Sequence, residues 1–469
     1  MGLRPLHFWL ERVRVARFVE AYCCVVALIV ACAPSLHAQV HDESGDWHSL
    51  PPASEPSDGG FTTSDDGNVP LSQVPQLTSR SSASQKLYLN FVGSDLFNWG
   101  TFSPHITPAY STDLDTTTFS PSEISNIQEV WARVTEKFSP FNIDVTTINP
   151  GESHFVPQDS LNVVIGGNGS WYPLVAGGVA GVGSYYNGDS STHNTVFVFP
   201  KNLGNGFPKY VGEASAHEAG HAFGLQHQST YNGPTKTAEY NPGTYPGTGP
   251  GLGTGYKSPV MGLSYYSDRG IWWDGSSSQQ QSNGSPIPQS DLPILASNLN
   301  AFGYRADDHG STPASADPMF FSGGAVSASG VIETTDDKDY YSFRTGGGQV
   351  NLNIKAARWG STVIGMLDTK AELFTAQGAL VATYSNVAAP GSTSLDELIS
   401  ITLDPGDYLL AVESQGNYGD IGQYTIDGFI PPLAVPEPAT VVLMAVGSMG
   451  LFAFRRRRDR PRICGARAQ

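Results

Sequence analysis

Eleven residues, His217 to His227, read HEAGHAFGLQH, that is H-E-x-x-H-x-x-G-x-x-H. On an α-helix, positions four apart share a face, so His217 and His221 project together. Two imidazoles at that spacing can hold one Zn2+. Glu218 lies between them and turns its carboxylate toward the open side of such a metal, where a bound water would sit. Gly224 allows the left-handed backbone that ends a helix and turns the chain. That turn can return His227 as a third ligand. Three protein ligands with one open position are the pattern of a catalytic zinc site, whereas structural sites close with four. The competing reading is an ordinary helix with three hydrogen-bonded histidines.

The eleven-residue pattern resembles the metzincin clan of zinc peptidases. That clan also carries a methionine turn beneath the metal, and SPVMGLSYY here places Met261 after His227. The resemblance implies that Met261 packs under the ligand histidines without binding the metal; taken alone, it reads as core filler. Several clan members place a Tyr two residues after this Met. Leu263 stands there in this chain, so Tyr265 and Tyr266 are the candidates for an oxyanion donor or switch, with structural packing an equal reading. Gln228, just after the third His, matches no subfamily residue and leaves the subfamily open.

Order along the chain fits the same resemblance. Leu87, Leu89 and Phe91 alternate as in a half-buried strand. Ser120-Pro121-Ser122-Glu123 offers an N-cap, a first-turn Pro and a capping-box Glu. Ile124, Ile127, Val130, Val134 and Phe138 then share a helical face, and Pro140 stops it. Strand-like runs follow around Ile143 and Val145, Val163 and Ile165, Gly177 to Tyr186, and Thr195 to Pro200. The motif helix is expected from about Val211 to Gly224.

Strand, helix, four strands and metal-bearing helix resemble the upper part of a metzincin catalytic domain. The implied fold is α+β, a twisted mixed sheet plus zinc helix, over residues 85–310. In the clan, substrate adds antiparallel to the sheet edge above the cleft. Gly177, Gly178, Val179, Ala180, Gly181 and Val182 occupy that place, with a surface loop as the alternative. Residues 239–259 read as a long loop with few core-forming residues. Leu292, Leu295, Leu299 and Phe302 predict one helix ending at Gly303. Asp307, Asp308 and His309 offer cation ligands or a solvated linker.

From about 320 to 430 short β runs alternate with Gly/Asp turns, which predicts an all-β sandwich. Asp339-Tyr340-Tyr341-Ser342-Phe343 and Leu403-Asp404-Pro405-Gly406-Asp407-Tyr408 resemble the bacterial pre-peptidase C-terminal domain, a non-catalytic companion of secreted peptidases. Asp404 to Asp407 is first of all a hairpin turn. Ca2+ is a candidate second cation beside Zn2+, without support from any motif in the sequence.

Both ends carry addresses. Arg4, Arg12, Arg14 and Arg17 precede an apolar run from Ala21 to Ala33, and residues 1–38 read as a signal peptide cleaved after Ala38. Residues 39–84 are poor in apolar side chains and read as a disordered pro-segment or linker. Metzincins are often held latent by a pro-segment group on the metal; nothing selects Asp65 or Asp66 from the other acids for that role. Val435-Pro436-Glu437-Pro438, an apolar run from Ala439 to Phe454, and Arg455 to Arg458 resemble the PEP-CTERM sorting signal of Gram-negative bacteria. The resemblance implies an exosortase-type partner that cuts this tail. The bare physical reading of 435–458 is a short transmembrane segment in the inner membrane, followed by a basic tail, 459–469.

Charge and cysteine use agree with export. Residues 1–38 hold four Arg and two Glu, and 455–469 hold seven Arg and one Asp; the middle therefore holds 15 basic and 40 acidic side chains, net −25. Such a surface repels nucleic acid. The cysteines are Cys23, Cys24, Cys32 and Cys464, so the body has no disulfide and no thiolate ligand. The expectation is an exported, surface-sorted zinc endopeptidase acting on protein or peptide, with Glu218 as general base. The alternative is a catalytically inactive metzincin-fold protein that binds surface or matrix partners.

Overall fold

Leu87, Leu89 and Phe91 are buried, and the run from Lys86 to Asn90 is an inner strand, next to one edge, of a six-stranded sheet. The computed structural model describes residues 40–42, 67–100, 102–187, 193–243, 257–385 and 395–433. The expected signal peptide, residues 43–66, the sorting segment 435–458 and the basic tail lie outside them. The sheet contains β1 (Val40–Asp42), β2 (Lys86–Asn90), β3 (Asp144–Thr146), β4 (Ser160–Ile165), β5 (Gly178–Gly181) and β6 (Thr195–Val198). Its spatial order is β1-β5-β6-β4-β2-β3. β3, β2, β4 and β6 run parallel, while β5 is antiparallel to β6, pairing Gly178 with Val198. Parallel strands need covering on their faces, and β4 and β6 are buried along their whole length.

Helix α1 (Pro121–Phe138) starts where the sequence places it. Ser120 Oγ accepts the Glu123 amide, and a Glu123 carboxylate oxygen accepts the Ser120 amide at 2.9 Å. Ile127, Val130, Val134 and Phe138 are buried against helix α2 (Pro208–Ala222), which carries the histidine motif. Phe138 meets Phe223 edge-on at 5.7 Å and Trp272 at 5.4 Å, and these rings close the core beneath the motif.

Two stretches differ from the sequence reading. Residues 67–84, read as part of a disordered segment, are ordered. Asp144 accepts from the Ser79 and Arg80 amides at 3.0 Å each and from Lys86 Nζ at 3.0 Å, which fastens this polar stretch to β3. The helix expected from Asp291 to Phe302 is only α3, Asp291–Leu295. Leu299 is exposed, and Asn300 instead folds its amide inward to the carbonyls of Phe223, Ile294 and Leu295.

Among the described residues after 316 the regular structure is all β. One five-stranded sheet orders Asp317–Pro318, Lys338–Thr345, Gly406–Ser414, Thr369–Thr375 and Leu380–Tyr384. The other orders Phe321–Ser322, Ala325–Ile332, Gly422–Phe429, Gly348–Ala356 and Glu397–Leu403. Val350, Leu352, Ile354, Leu373, Ile399, Leu410, Val412 and Ile426 fill the space between them. The described chain is thus mostly β with few helices, and its last part is a β-sandwich. The sandwich meets α1 through a buried carboxylate: Glu136 accepts the Met366 amide at 2.8 Å and the Gln423 side-chain amide at 3.0 Å.

Candidate metal centre

α2 ends just after the second histidine of the motif. Pro208 fixes its first turn, and the Gly224 amide bonds back to the His221 carbonyl at 2.8 Å. Gly224 has φ +103°, and a Cβ there would lie 2.7 Å from the Tyr186 hydroxyl. Only glycine fits that turn without strain. The chain reverses through it, and His227 comes back over the helix. His217, His221, His227 and Glu218 are all buried.

The three rings gather. His217 and His221 centroids are 4.6 Å apart, His221 and His227 4.8 Å, and His217 and His227 5.3 Å. One nitrogen from each falls within 4.8 Å of the others. Each Nδ1 faces an acceptor: the Val260 carbonyl at 2.7 Å for His217, the Leu225 carbonyl at 2.8 Å for His221, and Glu239 Oε1 at 2.7 Å for His227. An Nδ1–H donor leaves a neutral imidazole with its lone pair on Nε2, the form that ligates a metal. The donor set fits Zn2+: three neutral nitrogen ligands close enough to share one ion.

Glu218 lies against strand β5. A Cβ on Gly178 would sit 2.5 Å from Glu218 Oε1, so the first residue of β5 covers this carboxylate with bare backbone. Of the six residues expected to form an edge strand, Gly178 to Gly181 form a strand, and Gly177 and Val182 flank it, but the edge position in this sheet is taken by β1. Its far side is paired antiparallel with β1, Val40 opposite Gly181 and Asp42 opposite Val179. That is the side on which an added substrate strand would lie.

Met261 is buried beneath α2. A Cβ on Gly220 would lie 2.5 Å from its sulfur, so the small residue between the ligands admits the thioether. The same turn supplies the Val260 carbonyl to His217 and the Met261 carbonyl to the Gln228 amide at 2.7 Å. Of the two candidate tyrosines, Tyr265 is buried with its hydroxyl 3.6 Å from a Cβ position on Gly177, next to the residue that covers Glu218. Tyr266 packs on Tyr210, centroids 5.8 Å apart.

Two residues missed by sequence reasoning lie beside the third histidine. Tyr240 packs at a tilt, its centroid 4.5 Å from that of the His227 ring and 6.4 Å from that of His217. Glu239 receives the His227 Nδ1 and, at 2.6 Å, Lys236 Nζ. Burial works against its charge, but these two partners outweigh it and hold the carboxyl at about 2. Both residues sit at the start of a stretch that reads as polar loop, and no local spacing marks them.

A second group of oxygen ligands lies where the two parts of the chain join. Asp307, Glu333 and Asp337 bring carboxylate oxygens within 4.8 Å of one another, as do Asp308 and Asp339 with His309. His309 points Nδ1 at Asp317 (2.8 Å) and Nε2 at the Ser329 carbonyl (2.9 Å). Both nitrogens therefore donate, and the ring is a cation itself rather than a ligand. Burial, then the Asp337 side chain and the charge of Asp308, push Glu333 up to about 10.

Residues 434–458 match the family described as the PEP-CTERM protein-sorting motif. That motif is recognised by exosortase-type sorting enzymes, and a chain bearing it is exported and sorted to the cell envelope of a Gram-negative bacterium. Among the described residues no helix is long and apolar enough to cross a membrane. No curated protein matches the chain. Among solved structures, the pre-peptidase C-terminal domain of a collagenase from Bacillus anthracis is similar at 18% identity, covering 24% of this chain and 91% of that one, with a TM-score of 0.18.

Proposed function

We propose that this exported chain is a zinc-dependent endopeptidase. The observation that carries the reading is the convergence of three buried imidazoles, each with Nδ1 engaged by an acceptor and one nitrogen within 4.8 Å of its partners'. A Zn2+ held by His217, His221 and His227 would supply Lewis acidity and lower the pKa of a bound water toward about 7.

The chain's own groups then divide the remaining tasks. Glu218 accepts a proton from the attacking water and delivers it to the leaving amine. β5 offers main-chain groups to an extended peptide, and its glycine at 178 lets the strand's own backbone lie against Glu218. Tyr265, beside Gly177, is the better placed of the two candidate tyrosines to donate to the carbonyl oxygen of a peptide lying along β5. Met261 fills the floor of the site.

Glu218→Gln keeps the shape and removes the base. We expect zinc retention with casein cleavage down by about 10²–10⁴-fold. Wild-type cleavage by this variant, or cleavage by wild type that survives chelation, overturns the assignment. A binder with no peptidase activity would show neither cleavage nor its loss.

Ca2+ is proposed for the junction carboxylates. Glu333 is buried, its oxygens lack a hydrogen-bond donor among the described residues, and Arg305 Nε at 3.2 Å is its ion-pair partner. A hard divalent cation shared with Asp307 and Asp337 replaces the proton that this crowding otherwise demands.

A further inference from the structure

His227 is the one ligand that α2 does not carry, and it is held differently from the other two. His217 and His221 donate to main-chain carbonyls, whereas His227 donates to a carboxylate. That carboxylate arrives by a short detour. After His227 the chain forms a hairpin, Thr230–Asn232 with Thr235–Ala238, whose register sets Asn232 opposite Thr235. The hairpin returns the chain to the ligand loop just as Glu239 and Tyr240 are reached.

The returning segment is then fixed on both sides. Ser229 Oγ donates to the Glu239 carbonyl. The Asn241 amide bonds the Gln228 carbonyl at 2.7 Å, and the Leu263 amide bonds the Asn241 carbonyl at 2.9 Å. Residues 239–241 therefore lie between the third ligand and the methionine turn. Lys236, on the hairpin itself, grips the Glu239 oxygen that His227 does not use, at 2.6 Å.

We infer that this hairpin is a strap that makes Glu239 the positioning residue for the third metal ligand, with Tyr240 packed against the His227 ring. Glu239 fixes the Nδ1–H tautomer, orients the imidazole and makes Nε2 more basic. Lys236 keeps one carboxylate oxygen occupied, so the other stays aimed at the ring. The inference rests on the zinc reading of the three histidines and adds a residue to it. The hold is unequal: Glu239 is partly exposed, so His227 is the ligand whose grip depends on a surface ion pair.

The test is zinc affinity, measured on the full chain by competition with a chromophoric chelator. Wild type is compared with Glu239→Gln and Glu239→Ala, and the cobalt-substituted absorption spectrum is recorded for each. We expect Glu239→Ala to weaken zinc binding by about 10–100-fold and to shift the cobalt bands, with a smaller loss in Glu239→Gln, which keeps an acceptor oxygen. Should the alanine variant not fold, Glu239→Gln decides. Variants that bind zinc as wild type does, with an unchanged cobalt spectrum, overturn the role of Glu239. A wild-type chain that binds no zinc overturns instead the reading on which it rests.

Discussion

Gly178 lies over Glu218 so closely that a methyl group at 178 would stand 2.5 Å from the carboxylate oxygen. This strand and the proposed base are therefore one unit, and the strand cannot carry a side chain at this point. Gly178→Ala must displace either the strand or the carboxylate. We predict a fall in peptide-cleavage rate of about 100-fold with zinc content unchanged, since misplacement by about 1 Å costs that much. Steady-state kinetics beside metal analysis checks it. Unchanged kinetics would mean that Glu218 is not the proton acceptor.

The outer side of the same strand is occupied by Val40–Asp42. Two strands cannot pair with one edge at once, so substrate must displace this segment. A chain shortened to begin at residue 67 should cleave peptides several-fold faster than one beginning at residue 39. An added peptide spanning residues 39–43 should slow the shortened chain, and progress curves read both effects.

How much of this is legible in the sequence depends on how local each signal is. The spacing of His217, Glu218, His221, Gly224 and His227 holds within one helix and one turn, so it can be read directly. The cap at Ser120 is equally local, as are most sandwich strands, whose alternation survives in the buried Val350, Leu352 and Ile354. Met261 is legible only through a family resemblance, because nothing near it shows that Gly220 leaves room for its sulfur. Glu239 reaches His227 through a hairpin, and the pairing of Val40 with Gly181 joins distant segments; neither leaves a periodic trace. Leu292 to Phe302 misleads because apolar spacing cannot tell a helix from a chain that Asn300 folds inward.

Glu136 couples the sandwich to α1 and gives a pH signature. Complete burial pushes its carboxyl up to about 7, against the hydrogen bonds from Met366 and Gln423. Unfolded, it titrates near 4.5, so between these values the folded chain holds a proton that the unfolded chain has released. Stability from this group is full below about pH 4.5 and declines as pH rises to about 7. Asp291, likewise raised to about 7 by burial, acts in the same direction. Thermal melts of the full chain should fall from pH 5 to pH 7.5, and Glu136→Gln should flatten part of that slope.

For the junction carboxylates, millimolar Ca2+ should raise the melting temperature of wild type by a few degrees, because it binds only the folded arrangement. Glu333→Gln should abolish that rise while leaving zinc content unaltered. An equal rise in the variant would place calcium elsewhere.

The most direct measurement is the zinc content of the purified full chain, with His227→Ala as its partner. One zinc per wild-type chain is expected, with loss of tight binding in the variant and both chains folded. A folded wild-type chain that takes up no zinc when it is supplied would contradict it.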